Sequence, residues 1–474
     1  MVFSSLEFVC VFFPIVFLLY CIMPGIRIKN AFLIVASLLF YSYGEPAYVF
    51  LMIISAAFNY IFARLIAGSG YKKIFLFADV AANLFLLFFF KYVSFFVEIW
   101  SAISGCQYGP FDMKLPVGIS FFTFQALSYV IDVYFDKIQV QKNFWKVLLY
   151  ISFFPQLVAG PIVRYRDINT AIESRKMDGK QIANGVRRFI CGLGKKVLIA
   201  NTMGQTADAV FSAGSAEINI VSAWIGAIAY MLQIYYDFSG YSDMAIGLGK
   251  MYGFHFEENF RYPYGAAGIK EFWRRWHISL SSWFKEYLYI PLGGNRKGKL
   301  RTCINKLIVF SCTGLWHGAN WTFIIWGLYH GLFSMLEEYV KVLKKIPRCI
   351  TYIYTILVVC VGFVMFRADT VTQGIYMITQ MFIGISYDRN SMSFAVSQLT
   401  PWFIVMLAVG IIGMAPIKPI VSYIQNLDSS ERKQAKWENT VLQVSLYALS
   451  VLLLVFCIIR LSGNSYNPFI YFRF

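Results

Sequence analysis

The sequence predicts an all-α, polytopic membrane protein of roughly 11 to 13 transmembrane or re-entrant helices. Three observations carry that expectation. The 474 residues are 58% hydrophobic and 14% charged, with a mean hydropathy of +0.59; soluble domains carry about 25% charged residues. Many apolar runs reach the roughly 17 to 25 helical residues that cross a hydrocarbon core. Lys and Arg gather in a few of the connections between those runs. The chain, 1–474, is expected to form a single membrane domain.

The first run, 8–23, has no basic n-region and no small-residue cleavage site, so it is expected to remain as a helix and not to act as a signal peptide. Arg27 and Lys29 follow it, and Arg64, Lys72 and Lys73 follow the third run; the turns at 43–46 and 105–110 lack basic residues. Under the positive-inside rule, this alternation puts the N-terminus outside and the basic turns in the cytoplasm. The same rule accounts for the net charge of +17, so no nucleic-acid partner is expected, and the surrounding partner is membrane lipid. The nine cysteines are scattered and never form CxxC, which fits free thiols without a disulfide framework or metal site.

The alternation breaks once. Lys137, Lys142 and Lys146 precede the apolar run 147–163, and nine Lys or Arg follow it between 164 and 196, so both flanks belong in the cytoplasm. Pro155, Gln156, Gly160 and Pro161 interrupt that run. They suit a broken, re-entrant segment, which is tolerated at membrane depth only where protein or water covers the backbone. Residues 137–200 are therefore read as a re-entrant and cytoplasmic basic segment. Spans at 197–211 and 218–238 follow, and ten basic residues between 250 and 301 mark the next cytoplasmic region. Last come spans near 350–366, 401–416 and 440–459, which leave the C-terminus outside. No internal repeat of the kind many transporters show is visible.

The segment 240–340 is read as the catalytic core. Its hairpin, 303–316 and 321–335, starts and ends among basic residues. A first arm of about 14 residues covers about 21 Å, short of a core of about 30 Å. His317, in LWHGANW, should therefore lie within the membrane, where an ionisable side chain is costly and is a functional candidate by default. An average buried histidine is structural. Membrane depth, the flanking Gly314 and Gly318, and the polar Asn320 favour the functional reading here.

The stretch 270–290, KEFWRRWHISLSSWFKEYLYI, reads as one amphipathic helix in the cytoplasmic interface. His277 falls on its apolar side with Phe272, Trp273, Trp276 and Leu280, as a site wall or as interfacial packing. Upstream, YYDFSGYSDMAIG puts Asp237 and Asp243 at the cytoplasmic end of a span. They read first as helix-end caps, otherwise as a polar platform that orients a substrate or a histidine. His255 and His330 read as structural. There is no HExxH or CxxC, so no zinc signature, and no GxSxG elbow or P-loop to support a hydrolase or ATPase.

FWRRWHISLSSWFKEYLYIPLGGNRKG, LWHGANWTFIIWGLYHG, PVGISFFTFQALSYVIDVY, PQLVAGPIVRY and YYDFSGYSDMAIGLG together resemble the membrane-bound O-acyltransferase family, in its alginate O-acetyltransferase branch. D-alanyl transferases are more distant. The likeness runs from MVFSS to NPFIYFRF. It implies a ring of helices around a central funnel, with a thin partition holding the catalytic histidine. By motif, His317 matches that histidine, and His277 matches the second family histidine on the cytoplasmic-side helix. It also implies acyl transfer across the membrane, from a cytoplasmic donor to a hydroxyl outside.

The chemistry is compatible. Burial disfavours a charged imidazolium, and a neutral imidazole can take the proton of a hydroxyl attacking a thioester. Asn320 or a backbone N–H is the candidate oxyanion donor, with Trp316 and Asp237 as orienting candidates. No bound cofactor is expected. Acetyl-CoA is the expected donor, its phosphates suited to the basic inner face, although positive-inside topology alone would produce such a face. An extracytoplasmic polysaccharide is the expected acceptor and a separate extracytoplasmic acetyltransferase the expected partner, at a bacterial cytoplasmic membrane. The aromatic end, 465–474, reads first as an interfacial anchor; the sharper reading makes Tyr471, in F-x-Y-x-x-F, a covalent acyl relay. D-alanyl or other acyl transfer from a carrier protein is the alternative within the enzyme class. A transporter or polymer export channel is the alternative outside it.

Overall fold

The apolar runs fold as helices, which satisfy their own backbone groups away from water. The computed structural model describes residues 1–106, 109, 114–158, 160–340, 347–415, 432–463 and 466–470, with backbone alone for 432–440 and 442–443. No strand occurs among the described residues. A π-helical turn (Glu7–Phe12) leads into α1 (Phe13–Ile22), α2 (Ile26–Ser42), α3 (Tyr48–Gly68) and α4 (Lys72–Leu87). A π turn (Phe88–Tyr92) then continues into α5 (Val93–Ser104). Next come α6 (Ile119–Tyr134), α7 (Phe144–Ser152), α8 (Phe154–Leu157), α9 (Tyr165–Glu173) and α10 (Gly179–Gly194). Another π turn (Lys195–Ala200) leads to α11 (Asn201–Phe211) and α12 (Ile220–Met251). The second half holds α13 (Ile269–Arg275), α14 (Ile278–Phe284), α15 (Gly298–His317), α16 (Trp321–Tyr339), α17 (Arg348–Arg367) and α18 (Val371–Ile383). It closes with α19 (Arg389–Ser397), α20 (Pro401–Gly413) and α21 (Arg432–Gly463).

The protein is an all-α, polytopic membrane protein. By length and apolarity, α3, the rod formed by α4 and α5, α17 and the 444–463 part of α21 can each cross a membrane. The pair α19 and α20, bent by 64°, adds a fifth if counted as one span. Phe77, Ile54, Ile353 and Leu452 on these helices are exposed, as lipid-facing side chains are. The expectation of 11 to 13 elements also counted shorter and more polar helices, such as α6 and the α15–α16 hairpin.

The run 147–163 does not form one helix. α7 stops at Phe153, whose φ of −53° and ψ of 109° are not helical, before the single turn of α8. All of α8 is buried, so protein covers this broken backbone.

The centre of the fold is α12, and here the structure corrects the sequence reading. The helix does not end near 238 but continues to Met251, so Asp237 sits in its interior and caps nothing. The polar and glycine-rich YYDFSGYSD stretch stays helical because its neighbours satisfy it. Arg188 Nη2 lies 2.8 Å from Asp243 Oδ1 and Lys195 Nζ lies 2.6 Å from Oδ2. A Cβ on Gly192 or Gly240 would run into the carbonyl oxygen of the other, at 2.5 and 2.7 Å. These glycines therefore let α10 and α12 touch backbone to backbone. Tertiary packing overrides the turn propensity of the segment.

A second difference concerns His277. The stretch 270–290 is two short helices, α13 and α14, broken at Trp276 (φ −103°, ψ 128°) and His277 (φ 43°, ψ 55°). The apolar periodicity is the same in both halves, so it gave no sign of the break.

Candidate active site

The hairpin of α15 and α16 positions His317. α15 ends on this residue, and its 20 residues span about 30 Å. A Cβ on Gly314 would collide with the carbonyl of Phe323, and one on Gly318 with the Phe323 ring. The two flanking glycines therefore bring the arms together behind the histidine. Asn320 caps α16: its Oδ1 accepts from the Thr322 N–H at 3.1 Å and its Nδ2 donates to the Asp369 carbonyl at 2.9 Å. It does not line either of the cavities that His317 lines.

His317 is 6% exposed and sits edge-on in an aromatic collar. Its ring centroid lies 5.0 Å from that of Trp316, 5.2 Å from Trp326 and 5.1 Å from Phe366. The collar fixes the ring plane. The carbonyls ending α15 are taken by the π turn after α4: Tyr92 Oη donates to Leu315 at 2.7 Å, and Lys91 Nζ to Trp316 at 2.5 Å.

His277 comes close to this group because of the break before α14. Residue φ values above zero are costly outside glycine and gather at functional sites. Asn259 holds the strained turn. Its Oδ1 accepts from the Ser279 N–H at 3.1 Å and Ser279 Oγ at 2.9 Å, and lies 3.2 Å from His277 Nδ1. An acceptor at Nδ1 selects the tautomer with its proton there and its lone pair on Nε2. That Nε2 has no hydrogen-bond partner among the described residues. The Trp316 ring stands 5.8 Å from the His277 ring, between the two histidines.

Two spaces meet at His317. A cavity of about 660 Å³ descends from Met1, Glu45 and Lys114, on the face that the charge pattern assigns to the outside, to Lys91, Trp316 and His317. On the other side of the ring a small void of about 10 Å³ is lined by His277, His317, Trp326, Phe366 and Ile470. His317 thus lines both spaces. His330 is fully buried against Trp273 and Trp326 and lines neither space, whereas His255 is exposed.

Ile470 reaches the void because residues 466–470 turn inward. Residues 466–470 are not an interfacial anchor: Phe469 is buried with its ring 4.5 Å from that of Tyr241. Asp237 Oδ2 accepts the Ile470 N–H at 2.9 Å, and Lys196 Nζ, 2.7 Å from Asp237 Oδ1, donates to the Pro468 carbonyl. Asp237 thus clamps the tail and does not orient a histidine. Tyr471 lies outside the described residues.

His317, Trp316 and His277 come together, while Asn320 and Asp237 serve neighbouring backbone. Sequence reasoning missed Lys91, Asn259 and Lys196. A lone lysine inside FFFKYV was a signal for the first; the other two act only through partners distant in the chain.

The family model described as "MBOAT, membrane-bound O-acyltransferase family" matches residues 136–377. Over the full length of both chains, this one is 37% identical to the Pseudomonas putida protein named "Probable alginate O-acetylase AlgI". It is 35% identical to the Helicobacter pylori "Peptidoglycan O-acetyltransferase", covering 80% of each chain. Similarity to the Bacillus subtilis "Teichoic acid D-alanyltransferase" is 27% over 57% of this chain and 74% of that one. A buried histidine between two spaces, in an all-α membrane fold with these relatives, places the chain in the membrane-bound O-acyltransferase family, and it is an O-acyltransferase.

Proposed function

We propose that this O-acyltransferase takes acetyl groups from acetyl-CoA in the cytoplasm and passes them through the partition for O-acetylation of an extracytoplasmic polysaccharide. The observation that carries the reading is His317 itself, one ring lining both the outer cavity and the inner void. In this reading Nε2 or Nδ1 of His317 removes the proton of the attacking hydroxyl as its oxygen bonds to the acyl carbon. His277 faces the same void from the cytoplasmic side and orients the thioester. Trp316 separates the two rings and shapes the passage. The relatives named for alginate and peptidoglycan acetylation support acetyl over D-alanyl transfer, because the teichoic acid relative matches over less of the chain.

A further cavity of about 190 Å³ between α14 and α15, from Lys285 and Tyr289 to Thr313, lies on the basic side one turn before His317. It suits the narrow arm of a thioester donor. The tail suits the next step. Ile470 lines the void, and Tyr471 is the next residue in the sequence. Tyr471 then accepts the acetyl group and carries it to an extracytoplasmic acetyltransferase, as a covalent intermediate.

The test is polymer acetylation in cells that lack the native chain and carry a replacement copy. Wild type restores ester-linked acetate on the exported polysaccharide, while His317→Ala and Tyr471→Phe, both membrane-inserted, do not. Acetylated polymer with Tyr471→Phe rejects the relay, and with His317→Ala it rejects the site.

A further inference from the structure

Lys91 has a cost that packing alone does not repay. It lies in the π turn between α4 and α5, inside a 33-residue apolar rod (72–104) long enough to span a membrane. A cation at such a depth is expensive and marks function by default, and π turns inside helices often mark functional sites. Its Nζ donates to the Trp316 carbonyl at 2.5 Å and lies 3.5 Å from Ser120 Oγ. No carboxylate pairs with it among the described residues. The two acids on the cavity wall, Glu7 and Glu45, stand with Met1 and Lys114, and Glu45 pairs with Lys114 at 3.1 Å.

The plain reading is that Lys91 caps the end of α15, where carbonyls lack partners and the helix dipole favours a cation. That reading explains a donor but not a charge. The adjacent Tyr92 performs the same service for Leu315 with a neutral hydroxyl. What distinguishes Lys91 is its exposure to the floor of the outer cavity beside His317. The Trp316 ring centre is 5.9 Å from Lys91 Nζ and 5.0 Å from the His317 ring, so the indole links the two groups.

We propose that Lys91 is a further catalytic residue of the acyl transfer, an oxyanion-stabilising cation. The inference rests on the His317 reading above. The attacking hydroxyl oxygen forms its bond to the acyl carbon while its proton passes to the His317 imidazole. The carbonyl electron pair moves onto oxygen, and the Lys91 ammonium donates to the resulting oxyanion. Collapse reforms the carbonyl and breaks the bond to the thioester sulfur, which leaves with the proton held by His317. A preorganised ammonium stabilises such an oxyanion without the reorganisation that solvent water would need.

The experiment measures thiol release from acetyl-CoA by the full-length purified protein and its variants at position 91. Lys91→Gln keeps a neutral donor for the Trp316 carbonyl; Lys91→Met removes the donor; Lys91→Arg keeps the charge. The proposal expects a fall in kcat of about 10²–10³-fold in the Gln and Met variants, an unchanged KM for the donor, and partial recovery in Lys91→Arg. Wild-type kcat in Lys91→Gln would reduce the residue to a helix cap and overturn the proposal. Should Lys91→Met not fold, Lys91→Gln alone decides. His317→Ala runs in parallel: turnover surviving in that variant defeats the underlying reading, whatever position 91 does.

Discussion

Lys196 and Asp237 form an ion pair at 2.7 Å with both side chains 2% exposed, and together they hold the backbone of residues 468 and 470. Removing one member of a buried pair leaves an uncompensated charge, which costs about 3–5 kcal/mol. Asp237→Ala should therefore lower the thermal unfolding temperature in detergent and free the tail for carboxypeptidase digestion. Asp237→Asn, which can still accept the Ile470 N–H, should do less of both. Unchanged protease resistance in Asp237→Ala would show that the pair does not hold the tail.

The Asn259 side chain supports His277 and Ser279 from one oxygen. Asn259→Leu leaves three donors, the Ser279 N–H, Ser279 Oγ and His277 Nδ1, without this acceptor, at about 1–3 kcal/mol for each that stays buried, and releases the His277 tautomer. Acetyl-thioester turnover should fall with the protein still folded, and Asn259→Asp should retain part of it. Equal activity in the Leu variant would detach Asn259 from the site.

Gly314 and Gly327 allow the two arms of the hairpin to meet, since a Cβ on Gly314 would strike the Phe323 carbonyl and one on Gly327 the Phe310 carbonyl. Gly314→Ala should cost about 1–3 kcal/mol through forced backbone movement and displace His317, three residues on. Melting curves and turnover check both effects. Gly298→Ala adds its methyl to open space but at a φ of +85°, so it should cost stability without altering turnover.

On the face that the charge pattern assigns to the cytoplasm, Glu286 accepts from Arg166 at 2.6 and 2.7 Å, from Lys137 at 2.6 Å and from Arg164. The hydrogen bonds from Arg166 lead in lowering its carboxyl from 4.5 to about 2, against desolvation and with help from Lys137 and Arg164. A depressed carboxyl stabilises the fold above its unfolded value, and that contribution disappears as pH falls from about 4.5 towards about 2. Because the group is partly exposed, the effect is on the order of 1 kcal/mol. Glu286→Gln should flatten the acid limb of a stability-against-pH curve in that window. An identical limb in the variant would assign the acid transition to other groups.

Much of this architecture was legible in the chain. Apolar runs and basic turns gave the membrane class, and LWHGANW singled out His317; the arm before it, read as about 14 residues, is the 20-residue α15, whose polar first turns carry no apolar signal. The pieces that escaped share a cause. Lys196, Asp237 and the tail are far apart in sequence, and their pairing exists only once α10, α12 and the C-terminus pack together. Asp237 therefore read as a cap. The break at His277 was hidden because the apolar spacing of 270–290 suits one helix or two, and only Asn259, from a separate loop, fixes the turn. Lys91 was visible as a charge in an apolar run, yet what makes it significant is a cavity that no local pattern encodes.

The most direct test of the account is thiol release from labelled acetyl-CoA by purified protein, comparing wild type with His317→Ala. Wild type should release thiol, and a folded His317→Ala should be slower by about 10²–10⁴-fold. Equal rates in the two proteins would contradict a proton-accepting role for this histidine.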